Sequence, residues 1–182
     1  SELASIAEVA DGVRCDMAML ALSGIFEWVW GATVRNDQRP DSEFWDLAVQ
    51  RIRQRRPDFV FMAEVYWGLE STLQRMGFNF TYDKPLYDHL RWDTASEIMS
   101  HVSGEGETLA IQAHFLENHD EPRAVEVFGR ERSMAAAIVL GTLPGMRFYH
   151  DGQLEGKSIR LPVQLAREPV EAHDPQVSLF YR

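Results

Sequence analysis

Residues 58–65, DFVFMAEV, decide how the rest of the sequence is interpreted. The segment is apolar almost throughout, which is typical of a strand covered on both faces. Four further β-type runs lie along the chain, and helical stretches separate them. The five predicted strands pass through Val13, Val60, Phe78, Ile111 and Phe148.

This alternation of strands and helices predicts right-handed βαβ crossovers and a parallel sheet. Two architectures fit the pattern: an open doubly wound sheet, or part of a (β/α)₈ TIM barrel. No glycine-rich phosphate-binding loop follows any of the predicted strands, which disfavours a nucleotide-binding doubly wound fold. The residues at the strand ends favour the barrel.

Three of the β-type runs end in a carboxylate, at Asp16, Glu64 and Asp120. Because the carboxyl ends of parallel strands lie on one face, where barrel enzymes carry their catalytic groups, we expect these acids to converge. Acids at the ends of apolar strands are costly unless they are paired or used. Each could instead cap a helix or form a buried ion pair with Arg14 or Arg123.

Composition narrows the classes of partner. The chain has 182 residues and a formal net charge of −10, so nucleic acid and anionic membrane surfaces are not expected partners. We see no apolar run that would span a membrane and no signal peptide, and we expect a cytoplasmic location. The single cysteine, Cys15, excludes an internal disulfide and is expected to be a buried, inert thiol.

Four motifs, in order, resemble those of the α-amylase family, glycoside hydrolase family 13. GVRCDMA at 12–18 resembles the motif on the fourth barrel strand, and FMAEVY at 61–66 resembles the fifth-strand motif. FLENHD at 115–120 resembles the seventh-strand motif, and PGMRFYHDGQLEG at 144–156 is similar to the eighth-strand phrase. The resemblance implies that residues 1–182 form one segment, the C-terminal half of the catalytic barrel, with strands four to eight.

The resemblance also implies an enzyme: a retaining α-glycoside hydrolase or transglycosylase that acts on α-glucosidic bonds of oligo- or polysaccharides. Asp16 would be the nucleophile that forms a covalent glycosyl-enzyme, and Glu64 the acid/base. Asp120 would be the third carboxylate, which favours the oxocarbenium-like transition state. The substrate-binding residues would be Arg14, Tyr66, Trp67, Asn118 and His119.

The side chains near these acids suit carbohydrate. Tyr66 and Trp67 are expected to form a sugar platform, and Trp28 and Trp30 either line the same cleft or pack under their loop. Asn118 either steadies the loop that carries His119 or binds sugar directly. Two further tryptophans, Trp45 and Trp92, are expected in the core.

Two departures from the family limit the substrate. The family's Lys-His pair after the nucleophile is replaced by Met19 and Leu20, which suggests hydrolysis of short α-glucosides or transfer. The Asp and Asn-His motif of the third strand does not occur in the sequence. A complete barrel needs about 250 residues, so we expect pairing with a missing N-terminal half, or self-association through exposed sheet edges.

No cofactor or metal site is expected within this segment, since the usual calcium ligands of the family lie largely outside it. The alternative to an enzyme is a catalytically inactive fragment or a sugar-binding relative of the α-amylase family. The three acids in order argue against that alternative.

Overall fold

The computed structural model describes residues 2–33, 40–165 and 167–182. Residues 34–39, part of the long insertion predicted after Asp16, lie outside the described residues. The chain divides into two compact units, Ser1–Tyr82 and Asp83–Arg182. The two units are called unit one and unit two below.

Unit one contains three parallel strands. Its elements are α1 Glu2–Val9, β1 Gly12–Cys15, α2 Ser23–Trp30, α3 Phe44–Arg53, β2 Val60–Ala63, α4 Glu70–Arg75 and β3 Phe80–Tyr82. β1 pairs with β2, with Cys15 opposite Ala63, and β2 pairs with β3. Asp16 and Glu64 are therefore the next residues after two neighbouring strands, at the same end of both.

The core of unit one explains why β2 is so apolar. Phe61, Ala63 and Val65 are fully buried, as expected for a strand with helices against it. Trp45 of α3 is buried too, which confirms its expected place in the core. Its indole N–H donates to the carbonyl of Ala18 at 2.7 Å, so the core also fixes the turn after Asp16.

Unit two contains the other two strands. Its elements are α5 Lys84–Trp92, α6 Ala95–Glu105, β4 Gln112–His114, α7 Ala124–Phe128, α8 Arg130–Thr142, β5 Met146–Arg147 and α9 Pro175–Phe180. β4 pairs in parallel with β5. The buried leucines of the helices, including Leu86, Leu90 and Leu140, form the core of this unit.

The sequence KPLYDHLRWDTASEIMSHV at 84–102 predicts one helical region, and the structure has two helices there, α5 and α6. Thr94 is the N-cap of α6 and forms a capping box with Glu97. The Thr94 hydroxyl accepts from the amide of Glu97, and the Glu97 carboxylate accepts from the amide of Thr94. The expectation that Trp92 lies in the core is wrong, because Trp92 is 70% exposed. The guanidinium of Arg91 lies 4.4 Å from its ring centre.

The strands are shorter than the apolar runs that predicted them. Val13 and Val60 lie within their strands, whereas Phe78, Ile111 and Phe148 lie just outside. Parallel pairing within both units agrees with the predicted α/β fold. Among the described residues, no helix is both long enough and apolar enough to cross a membrane.

Candidate active site

Arg14 of β1 joins the two predicted catalytic carboxylates of unit one. Its Nη1 forms an ion pair with Oδ1 of Asp16, and its Nη2 lies 2.9 Å from Oε2 of Glu64. The contact between Nη2 and Glu64 is an ion pair whose geometry does not make it a hydrogen bond. The side chain of Asp16 is 78% exposed and that of Glu64 only 5%. The structure thus brings together one accessible and one buried carboxylate.

Tyr82, at the end of β3, holds Arg14 in place. The Nε of Arg14 donates to the Tyr82 hydroxyl at 3.3 Å, and the guanidinium lies 5.5 Å from the ring centre. Partial burial lowers the pKa of Arg14, but the hydrogen bonds to Tyr82 and Asp16 outweigh it and raise that pKa above its ordinary value. Arg14 is therefore a permanent cation between the two acids.

The buried carboxylate of Glu64 has two further partners. The amide of Met17 donates to its Oε2 at 2.8 Å, and the hydroxyl of Tyr66 lies 2.8 Å from its Oε1. Met17 has a left-handed φ of 41°, an uncommon conformation for a residue with a side chain. Tyr66 was predicted to bind substrate; in this structure its hydroxyl contacts Glu64.

Trp67 forms an exposed aromatic pair with Trp28. Their ring centres are 5.9 Å apart in an edge-to-face arrangement. Trp67 is 57% exposed and Trp28 74%, so Trp28 is not packed under its loop. Both rings present apolar surface to solvent, as a sugar platform requires.

In unit two, Asn118 shapes the loop that carries His119 and Asp120. The side-chain oxygen of Asn118 accepts from the amides of Asp120 at 2.8 Å and Glu121 at 2.9 Å. Asn118 is buried, which favours a loop-steadying role over direct sugar binding. His119 Nε2 lies 3.0 Å from Oδ2 of Asp120, and the Asp120 side chain is 55% exposed.

Sequence reasoning missed the buried acid of this loop, Glu117. Its Oε1 accepts from Nη1 of Arg123 at 2.6 Å, and its Oε2 accepts from the amide of Ala124 at 2.6 Å. Arg123 therefore has an acid partner, but that partner is Glu117 and not the strand-end acid Asp120. The available signal was a charged residue inside the apolar run before Asn118.

A pocket of about 360 Å³ lies against the predicted catalytic groups of unit two. Its lining residues are His119, Asp120, Arg160, Pro162, Val163 and Gln164. The pocket therefore has two walls: the loop after β4, and the segment that follows β5. Arg160 contributes a cation to it that sequence reasoning did not single out.

Three observations bear on other chemistry. Cys15 is buried, and burial raises the pKa of its thiol to about 12, as expected for an inert thiol. Met19 is also fully buried, so its side chain is part of the core and does not face the site. Among the described residues, no group of three or more His, Cys, Asp or Glu side chains is placed to hold a metal ion.

No family model matches the chain, but curated proteins do. It is 30% identical over 164 residues to the α-amylase MalA of Haloarcula japonica, a match that covers 85% of this chain and 22% of that protein. The chain is a relative of the α-amylases. It is also 26% identical over 161 residues to α-amylase 3 of Dictyoglomus thermophilum, covering 81% of this chain and 32% of that one.

Solved structures of α-amylases and related enzymes share the fold of this α-amylase relative. An α-amylase from H. orenii superposes with a TM-score of 0.66 at 20% identity, over 98% of this chain and 39% of that one. The native debranching enzyme of Nostoc punctiforme gives 0.69 at 17% identity, over 98% and 40%. The predicted fold class, part of a TIM barrel, is confirmed. The chain spans about a fifth to two fifths of the length of these proteins.

Proposed function

We propose that the protein is a retaining α-glycoside hydrolase or transglycosylase that acts on α-glucosidic bonds. The observation that carries the proposal is the single guanidinium of Arg14, which contacts both Asp16 and Glu64. Retention needs two carboxyl groups about 5–5.5 Å apart, one as nucleophile and one as acid/base. Two acids that touch one guanidinium are close enough to share a glycosidic bond.

In the proposed first step, a carboxylate oxygen of Asp16 attacks the anomeric carbon. The bond to the glycosidic oxygen breaks, and that oxygen takes a proton from Glu64. In the second step, Glu64 takes a proton from water or a sugar hydroxyl, whose oxygen attacks the anomeric carbon and frees Asp16. The Tyr66 hydroxyl can donate to or accept from Glu64, so that contact serves both protonation states.

The assignment of roles follows exposure. Asp16 is the accessible acid, as a nucleophile must be, and its carboxylate forms an ion pair with Arg14. Glu64 is the buried acid, beside the amide of Met17. Asp120 and His119 line the pocket of unit two, and by resemblance they hold sugar hydroxyls.

The proposed substrate is a short α-glucoside, or an acceptor sugar in a transfer reaction. Where the family often has a Lys-His pair for the leaving-group side, this chain has Met19 and Leu20. Because Met19 is fully buried, it offers no polar group to a sugar there. The relatives described above are named α-amylases or a debranching enzyme, which supports an α-glucan substrate class.

The test is a pair of isosteric substitutions in the intact protein. Asp16→Asn and Glu64→Gln should each lower kcat on p-nitrophenyl α-glucosides and maltooligosaccharides by roughly 10²–10⁴-fold or more. Asp58→Asn, which changes an exposed acid just before β2, is the matched control and should keep full activity. Circular dichroism should show all three variants folded.

Two results would count against the proposal. Full activity of Asp16→Asn or Glu64→Gln would show that the substituted residue has no catalytic role. A β-configured first product from an α-glucoside, seen by NMR, would show inversion instead of retention. Binding of maltooligosaccharides without any turnover by the intact protein would instead favour the sugar-binding alternative.

A further inference from the structure

Unit two contains a buried ion pair that the proposed chemistry does not use. Arg123 is 2% exposed and Glu117 only 1%, and their nearest atoms are 2.6 Å apart. Removing two charges from water costs several kcal/mol per ion, and the attraction between them often does no more than offset that cost. Stability alone is therefore a weak reason for this pair, and its contacts suggest another role.

Glu117 closes the loop that carries the predicted substrate-binding groups. Its carboxylate accepts from the amide of Ala124, the first residue of α7, at 2.6 Å. Residues 117 and 124 are thereby joined, with His119 and Asp120 between them. Within this loop, the side-chain oxygen of Asn118 accepts from the amide of Asp120 and so stabilises the turn. This loop is the first wall of the pocket.

Arg123 bonds to the second wall. Its Nη1 donates to the carbonyl of Asp151 at 2.6 Å, and its Nε donates to the carbonyl of Ile159 at 3.1 Å. Ile159 directly precedes Arg160, which lines the pocket. One guanidinium is thus bonded both to Glu117 in the first wall and to the backbone of the second.

His150 completes the set of acceptors around Arg123. Its Nδ1 lies 3.0 Å from Nη1 of Arg123 and 3.4 Å from Oε1 of Glu117. Burial and the charge of Arg123 lower the pKa of His150. Bonds in several directions at once need the planar fork of arginine, which the single ammonium of lysine lacks.

We propose that Arg123, anchored by Glu117, is a positioning residue that sets the two walls of the pocket beside His119 and Asp120. Substrate does not touch it. The inference rests on the proposed function in one respect: the pocket must bind the sugar substrate. The relative placement of the walls does not depend on that assumption.

The test combines hydrogen exchange with kinetics on Arg123→Lys in the intact protein. Amides of both walls, at 117–124 and 151–164, should exchange at least about tenfold faster than in the wild type. Turnover of p-nitrophenyl α-maltoside should fall roughly 10- to 100-fold, as expected when a group is displaced by about an ångström. Arg130→Lys is the matched control: Arg130 pairs with Asp174 at the surface, and its substitution should leave both measurements unchanged.

A residue that only stabilises the fold would behave differently. Arg123→Lys would then lower the thermal midpoint but keep wild-type kcat below it. If amide hydrogen exchange in either wall is the same in Arg123→Lys as in the wild type, the proposal is overturned. It is also overturned if both walls exchange faster while kcat stays at the wild-type value. If the wild type turns over no α-glucoside, the proposed function fails, and the exchange measurement still decides whether Arg123 joins the walls.

The lysine variant leaves a buried charge with fewer partners, so it could fail to fold. The double variant Glu117→Gln/Arg123→Gln removes both buried charges and keeps an amide at each position, so it tests the proposal if the lysine variant does not fold. Loosening of both walls in the folded double variant supports the proposal. Wild-type protection of both walls in that variant overturns it.

Discussion

Trp67 has a combination of features that is unusual for a structural tryptophan. It adopts a left-handed φ of 65° and is more than half exposed. Its contact with Trp28 is edge-to-face, so the ring faces are not stacked on each other. The pair is therefore well suited to pack against the C–H face of a sugar, close in sequence to Glu64.

We expect Trp67→Ala to weaken the binding of maltotetraose about three- to tenfold. The reason is the loss of one aromatic contact, worth about 1 kcal/mol. Isothermal titration calorimetry measures the change. Trp92→Ala is the control, because Trp92 is also more than half exposed but lies on α5 beside Arg91. If the wild type and Trp67→Ala bind maltotetraose with equal affinity, Trp67 is not part of the binding surface.

At the level of single residues, the sequence identifies side chains whose position depends on local geometry. Arg14 lies two residues before Asp16, and alternation along a strand places both on one face; the structure confirms their contact. Tyr82 could not be found in this way, because 68 positions separate it from Arg14. Only the pairing of the strands brings the two side chains together.

Among the elements, α5 and β4 are joined by a buried pair, Asp83 and His114. One oxygen of Asp83 caps α5 by accepting from the amide of Leu86 at 3.0 Å, and the other lies 2.7 Å from His114 Nδ1. The Nε2 of His114 lies 2.7 Å from the carbonyl of Pro144. Both ring nitrogens therefore face acceptors, so His114 is a doubly protonated imidazolium.

This pair should make the stability of the protein depend on pH. Burial lowers the pKa of His114, but the hydrogen bonds to Asp83 and Pro144 outweigh it and raise that pKa above its ordinary value. A raised pKa means that the contribution is complete below about pH 6.5, the unfolded value, and is lost as pH rises through the folded value. We expect the free energy of unfolding, measured in urea, to fall as pH rises above about 6.5.

The variant His114→Gln should lose that dependence and be about 3–5 kcal/mol less stable at pH 6, because it leaves Asp83 buried without its cation. His173→Gln changes an exposed histidine and should keep the wild-type profile. A wild-type stability that does not fall as pH rises above about 6.5 would contradict the assignment of charge to His114.

Element types were easier to predict than their ends. The sequence RERSMAAAIVLG at 130–141 predicts a largely apolar helix closed by Gly141, and the structure has α8 at Arg130–Thr142. The β3 run was predicted as a strand, but its terminal acid, Asp83, was not counted with the other three strand-end acids. The carboxylate of Asp83 caps α5 and contacts the buried His114. Because His114 lies 31 positions away in the sequence, no local pattern predicts this contact.

At the scale of the whole molecule, large apolar side chains remain at the surface. Val9 is 87% exposed, Trp28 74% and Leu179 72%. Surfaces of this kind mark association sites when the residues are contiguous. The chain also matches less than half of each relative described above, and in those proteins further chain is available to cover such residues.

We therefore expect these 182 residues, expressed alone, to self-associate. Sedimentation velocity should show a weight-average mass that rises with concentration above the 20.9 kDa of one chain. Addition of a polypeptide that supplies the N-terminal half of an α-amylase barrel should replace self-association with a defined complex. A sharp monomer peak at all concentrations, with cooperative unfolding, would contradict this expectation.

The position of Cys15 gives the chain an intrinsic reporter. The only thiol in the sequence lies at the end of β1, next to Asp16, and is buried with its pKa raised to about 12. A disulfide reagent can label it only when this part of unit one opens, so the labelling rate follows the opening equilibrium. Slower labelling in the presence of a maltooligosaccharide would then measure how strongly bound sugar holds the strand before Asp16 closed.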